Sequence, residues 1–127
     1  MPEITDAAIL SALGRQLNNA VAKQTVAASN LANLDTPGYR THDASFDEAL
    51  DGKLGGVLRT DAAHLAAAPA DGTPVEVPGL ASRRDGNNVQ LDRELLALSK
   101  AGGEFSRAQT ALTAKFRLVR YAINEGR

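Results

Sequence analysis

The side chains best equipped for chemistry are few and scattered. Histidine occurs only at His42 and His64, and metal ligation by imidazole needs clustered nitrogens. Both read as exposed or loop histidines. The absence of cysteine removes disulfides, thiolate metal sites and a cysteine nucleophile. Ser29 falls in a helical stretch with no adjacent histidine base, so it is not a nucleophile. Asp47 and Glu48 read as solvated surface acids. Neither G-x-x-x-x-G-K-[ST] nor G-x-G-x-x-G occurs, and the "GG" and "GNN" runs make no phosphate loop. No catalytic, metal or cofactor set remains, and the expected protein is not an enzyme and takes no cofactor or small-molecule substrate. What remains is a pair of amides, Asn30 and Asn33, three apart on one helix face. They are either polar residues of a helix end, or amides that bond the main chain of a neighbouring segment and pin the exit turn.

That exit is "NLDTPGYR", residues 33–40. Asn33 and Asp35 favour local side-chain-to-backbone bonds that compete with helix. Pro37 disfavours the helical conformation at Thr36. Pro37-Gly38 suits a type II turn, with proline second and glycine at the positive-φ position. The chain leaves the helix axis in a fixed direction and Tyr39 is aimed sideways. Tyr39 then serves an interface through its apolar body and polar tip, or packs back on its own helix end as a lid.

The elements that position these residues fall into three zones: 1–34, 35–88 and 89–127. In the first, Leu10, Leu13, Leu17, Ala20, Gln24, Ala27, Leu31 and Leu34 follow heptad spacing over about three and a half repeats. Thr5 or Asp6 caps this helix, whose length is roughly 40–45 Å. In the third, Leu91, Leu95, Leu98, Gly102, Phe105, Gln109, Leu112, Phe116, Val119 and Ile123 keep strict 4-3 spacing. Asp92 is its candidate N-cap, and Gly102-Gly103 predicts a kink or a close backbone approach. Arg117, Arg120 and Arg127 near the C-terminal end suit the helix dipole. The middle zone holds seven of the eleven glycines and four of the five prolines, so it reads as turns with a little β-structure. Its strand candidates are "GVLRT" (56–60) and "TPVEVPG" (73–79), and "DAAHLAAAPA" could add a helical turn. With few large apolar groups it is draped on something else or partly disordered.

The expected fold is therefore mainly α. Long N- and C-terminal helices pair as a coiled coil, and the middle is irregular, partly β or disordered. Composition agrees. Of 127 residues 43% are hydrophobic, much of that alanine, and only 4% are aromatic, which suits close helix–helix seams better than a thick core. A two-helix hairpin leaves half its surface wet, and that shape asks for partners. A net charge of −1 argues against a nucleic-acid binder and gives no polybasic membrane patch. No apolar run approaches the roughly 20 residues a bilayer span needs. The N-terminal stretch, with Glu3 and Asp6 and no basic region, is not a Sec-type signal.

The segment "ASNLANLDTPGYR" (28–40) resembles the N-terminal signature of bacterial flagellar axial proteins, the rod and hook subunits. Ala28, Asn30, Leu31, Ala32, Asn33, Thr36, Gly38, Tyr39 and Arg40 match it. Pro37, the following "DASFDEAL", the short length and "GNNVQLDREL" (86–95) narrow the likeness to the proximal rod of the flagellar basal body. The resemblance implies a structural subunit whose terminal helices pack into a tubular layer and pass torque from motor to hook. It implies an assembly motif at Asn30, Leu31, Ala32, Asn33, Thr36, Pro37, Gly38, Tyr39 and Arg40. The helix interface would comprise Leu13, Leu17, Leu31, Leu34, Leu95, Leu98, Phe105, Leu112, Phe116 and Val119. Implied partners are copies of the chain, other rod proteins, the basal-body adaptor near the membrane ring and, in transit, the flagellar type III export apparatus. The implied location is the periplasmic rod, reached without a cleaved signal. Phe46 and Leu50 match a Phe-x-x-x-apolar export element, or form a plain helix-face pair. The competing class is a soluble helical adaptor or export chaperone, which has no reason to carry "NLANLDTPGYR".

Overall fold

The computed structural model describes residues 6–44 and 74–124. Helix α1 (Asp6–Ala32) leads into strand β1 (His42–Ala44), and strand β2 (Pro74–Glu76) leads into helix α2 (Leu91–Asn124). At 1.5 Å per residue the helices run about 40 and 51 Å. They pack antiparallel along their length: Asn30 meets Glu94, Lys23 meets Glu104 at 2.8 Å and Asp6 meets Lys115 at 2.5 Å. The fold is mainly helical, two long helices packed on each other with a short β-hairpin at one end, as the periodicity predicts.

The seam between the helices is built from small side chains. Ala20, Val26 and Ala27 of α1 and Ala101 and Ala108 of α2 are buried. Alanine lets two helix backbones approach closely and loses no side-chain entropy on burial. On α2 the buried positions Glu94, Ala101 and Ala108 keep a seven-residue spacing, but on a different stripe from the large apolar one. Ala101 and Ala108 each lie three residues beyond Leu98 and Phe105, roughly 60° round the helix. Leu98, Phe105 and Leu112 are half-buried on the seam's flank, while Leu91, Leu95, Phe116, Val119 and Ile123 are exposed. The reason is steric and polar together. The alanine stripe allows the closer approach, and it brings Glu94, Glu104 and Lys115 to partners on α1. On α1 the sequence pattern lies nearer the seam, with Ala20 and Ala27 central and Leu13, Leu17, Leu31 and Leu34 half-buried.

Helix α2 runs unbroken through Gly102-Gly103. A Cβ at Gly102 would lie 3.5 Å from the Gln24 side-chain nitrogen, so its near neighbour is a side chain rather than a backbone. Asp92 is the second helical residue, with the helix already begun at Leu91. β1 and β2 pair antiparallel, His42 opposite Glu76, Asp43 opposite Val75 and Ala44 opposite Pro74. Val77 N–H donates to the Thr41 carbonyl at 2.9 Å and lengthens the ladder. β2 lies within the "TPVEVPG" candidate. β1, "HDA", has no strand signature, and its extended form is imposed by the groups it docks against. Thr5, "GVLRT", "DAAHLAAAPA", His64, Arg127 and the Phe46/Leu50 pair lie outside the described residues.

Candidate functional site

The helix exit is a closed turn. The Tyr39 N–H donates to the Thr36 carbonyl at 3.2 Å, with Pro37 second and Gly38 third at φ 73°. That is the arrangement a Pro-Gly type II turn requires, and only glycine adopts that φ without strain. Asn33 serves the helix end: its Nδ2 donates to the Ser29 carbonyl at 2.8 Å and its Oδ1 accepts from the Thr36 hydroxyl at 3.1 Å.

The second motif docks on the first. The Gly38 N–H donates to the Asp85 carbonyl at 2.9 Å, Asn88 N–H to the Tyr39 carbonyl at 3.3 Å and Thr41 N–H to Asn88 Oδ1 at 2.6 Å. Gly86, at φ 83°, backs onto Gly38, and a Cβ there would sit 3.5 Å from the Gly38 Cα. Asn87 is wholly buried and fastens, from a distance, the turn that follows α1. Its Nδ2 is shared among the carbonyls of Asn33 (2.9 Å), Leu34 (3.1 Å) and Thr36 (2.8 Å), and its Oδ1 accepts from the Val89 N–H at 2.8 Å. Arg83 adds a bond to the Leu34 carbonyl. These carbonyls lie in the turn beyond Ala32, outside the helix ladder, and this segment satisfies what the turn leaves open. Asn87→Ala should destabilise the protein by about 2–3 kcal/mol. Asn87→Asp should cost at least as much, because a carboxylate faces the same carbonyl oxygens with no N–H to donate. Denaturant midpoints of the two variants at equal m-value check both.

Asn30 is the centre of the site. It is completely buried, and its amide is fully used. Oδ1 accepts from the His42 N–H and the Tyr39 hydroxyl, both at 3.1 Å, while Nδ2 donates to the His42 carbonyl at 2.7 Å and to Glu94 Oε2 at 2.9 Å. Bonding both the N–H and the C=O of one residue, the side chain stands in for a neighbouring strand. The buried Glu94 carboxylate also accepts from Arg93 Nη1 at 2.5 Å, and Arg93 Nη2 reaches Asp43 at 3.3 Å. Glu94 lies in the first turns of α2, whose positive end favours it.

Of the two readings of the amide pair, Asn30 follows the one in which an amide pins neighbouring main chain, and Asn33 the helix-end one. Tyr39 folds back, half-buried, with its ring edge toward His42 at 5.7 Å and 66°. Arg40 is exposed beside Glu76 (2.9 Å) and Ser82 (2.8 Å). Leu31 is half-buried, and Ala32, Thr36, Pro37 and Gly38 are exposed around the turn. Sequence reasoning missed Asn87, Asn88, Arg93 and Glu94 as members of the site. The usable signal was "GNN" just ahead of a helix start: two consecutive amides after a turn glycine are suited to capping a remote chain end.

Among the described residues no group of histidine and acidic side chains could hold a metal ion, and no helix is long and apolar enough to cross a membrane. The hydrogen bonds named here join one part of the chain to another, so the arrangement is a structural one. Comparison with known proteins agrees with that character. Residues 10–40, which cover most of α1 and the exit turn, match the family model of flagella basal body rod proteins. A flagellar basal body rod protein FlgB of Salmonella typhimurium (strain LT2) is 31% identical over 123 residues, 87% of this chain and 88% of the relative. The FlgB of Bacillus subtilis (strain 168) is 28% identical over 119 residues, 91% of this chain and 92% of the relative. That of Escherichia coli (strain K12) is 26% identical over 123 residues, 87% and 88% respectively. These matches place the chain among the structural proteins of the flagellar basal-body rod. The chain belongs to the FlgB family.

Proposed function

We propose that this chain is a proximal rod subunit that assembles through its two terminal helices and passes torque from motor to hook. The observation that carries this reading is the exposed apolar line on α2. Leu95, Phe116, Val119 and Ile123 are 49, 57, 39 and 68% exposed, although their spacing is that of a packed seam. The pairing within the chain uses alanines instead, so the large side chains remain for neighbours. Leu13, Leu17, Leu31, Leu34, Leu98, Phe105 and Leu112 flank the same contacts. Each large apolar side chain buried on assembly stabilises by about 1.5–3 kcal/mol. Near-parallel helices packed to interior density resist shear, which is what a rotating shaft needs.

The neighbours are copies of this chain, other rod proteins and the adaptor at the membrane ring, joined by heterologous contacts of the kind that build open helical assemblies. The motif 30–40 sets the angle at which the chain leaves α1 and so the surface offered beside the helices. The chain reaches the periplasmic rod through the flagellar export apparatus, for which Phe46 and Leu50 offer a Phe-x-x-x-apolar element. A tagged copy expressed from its native locus should co-purify with detergent-extracted basal bodies. Recovery only from the cytosol, with swimming intact when the chain is deleted, would sink this function.

A further inference from the structure

The polar contacts around Asn30 close on themselves. Asn30 of α1 holds both main-chain groups of His42 in β1, and the next residue of β1, Asp43, holds Arg93 of α2. Arg93 holds Glu94, and Glu94 returns to Asn30. The circuit passes through three elements, α1, β1 and α2, and two of its members, Asn30 and Glu94, are buried. We infer that this ring is a conformational latch, which makes docking of the β1–β2 hairpin conditional on pairing of α1 with α2, and the reverse.

The argument is one of hydrogen-bond completeness. When the helices pair, the Asn30 amide is removed from water with one N–H met by Glu94. Its second N–H is then satisfied only if residue 42 lies alongside, and its oxygen, left with the Tyr39 hydroxyl, regains its second donor only from the His42 N–H. Pairing without the strand leaves a buried amide half-bonded. The strand without pairing loses the acceptor that orients the amide toward it, and loses Arg93, which Glu94 holds in place for Asp43. A polar network that is favourable when complete and unfavourable when partial behaves as a single unit. A free helix pair with an undocked hairpin is then a minor species, and coupling of this kind is reciprocal.

Amide hydrogen exchange on the full-length protein tests the latch in both directions. Hairpin reporters are the N–H groups of His42 and Val77, and seam reporters are those around Ala27 and Ala101. Glu94→Ala breaks the ring on α2 and alters nothing in the hairpin, yet His42 and Val77 should exchange at least about tenfold faster. Val77→Pro removes the donor to the Thr41 carbonyl and restrains the backbone at residues 76 and 77 while altering no member of the ring, yet the seam reporters should accelerate by a comparable factor, with the His42 N–H as the hairpin reporter in this variant. Because Val77→Pro touches no buried polar group of the ring, it decides the matter even if Glu94→Ala fails to fold. Acceleration confined to the hairpin in Val77→Pro, or to the helices in Glu94→Ala, overturns the inference.

Discussion

Replacing Asn30 with leucine should lower the stability of the isolated protein by about 3–5 kcal/mol. Leucine keeps the branched outline but is the larger side chain, and its methyl groups cannot sit at the 2.7–3.1 Å the amide keeps to its partners, so overpacking adds to the loss. What is lost is the partner of four groups at once: the Tyr39 hydroxyl, both main-chain groups of His42, and the Glu94 carboxylate. The half-buried tyrosine can turn its hydroxyl to water, whereas Glu94, 1% exposed, cannot. Removing one member of a buried charged contact is among the costliest single changes known. Against a total stability of about 5–15 kcal/mol for a typical domain the effect is large, and the melting temperature should fall by roughly 10–20 °C. Thermal unfolding followed by circular dichroism measures it. A shift of only a degree or two would mean that the amide network carries no weight.

Phe116→Asp should give the opposite pattern. Phe116 is 57% exposed, so the variant should unfold within about 0.5 kcal/mol of the parent, as surface substitutions do. In an assembled rod the same position is dry on the proposed reading, and an unpaired carboxylate there costs several kcal/mol. Each 1.4 kcal/mol is about a tenfold loss of occupancy, so incorporation into basal bodies and swimming should both disappear. Basal-body immunoblots and motility agar report these, with unfolding data alongside. Wild-type swimming would show that the apolar line of α2 is not an assembly surface. Leu112→Asp is a less discriminating probe, because Leu112 is half-buried within the chain and folding and assembly would fail together.

The helices were legible because heptad spacing survives over long stretches, and β2 because Val75 and Val77 alternate with Glu76. β1 was illegible because His42, Asp43 and Ala44 have no strand preference, and Asn30, twelve residues upstream, supplies the missing partner. The choice of stripe on α2 escaped the pattern for a related reason. Periodicity weighs large apolar residues most heavily, whereas close approach rewards alanine, and Ala101 and Ala108 look like filler beside Leu98 and Phe105. Within the site, the Pro37-Gly38 turn followed directly from backbone sterics. The turn-fastening role of Asn87 did not, since it depends on a contact across 51 to 54 positions that no local rule contains. The burial of Glu94 against Asn30 became visible only once the two helices were in register.

The hairpin register has a consequence for how such chains diversify. Ala44 and Pro74 face each other across the two strands, so the intervening stretch departs and returns at a single doorway. Closing a longer stretch at a doorway already fastened adds only about 0.6 kcal/mol per doubling of its length. The scaffold can therefore accept an insert of another size or shape there, as a lens mount accepts different lenses, while the paired helices keep their geometry.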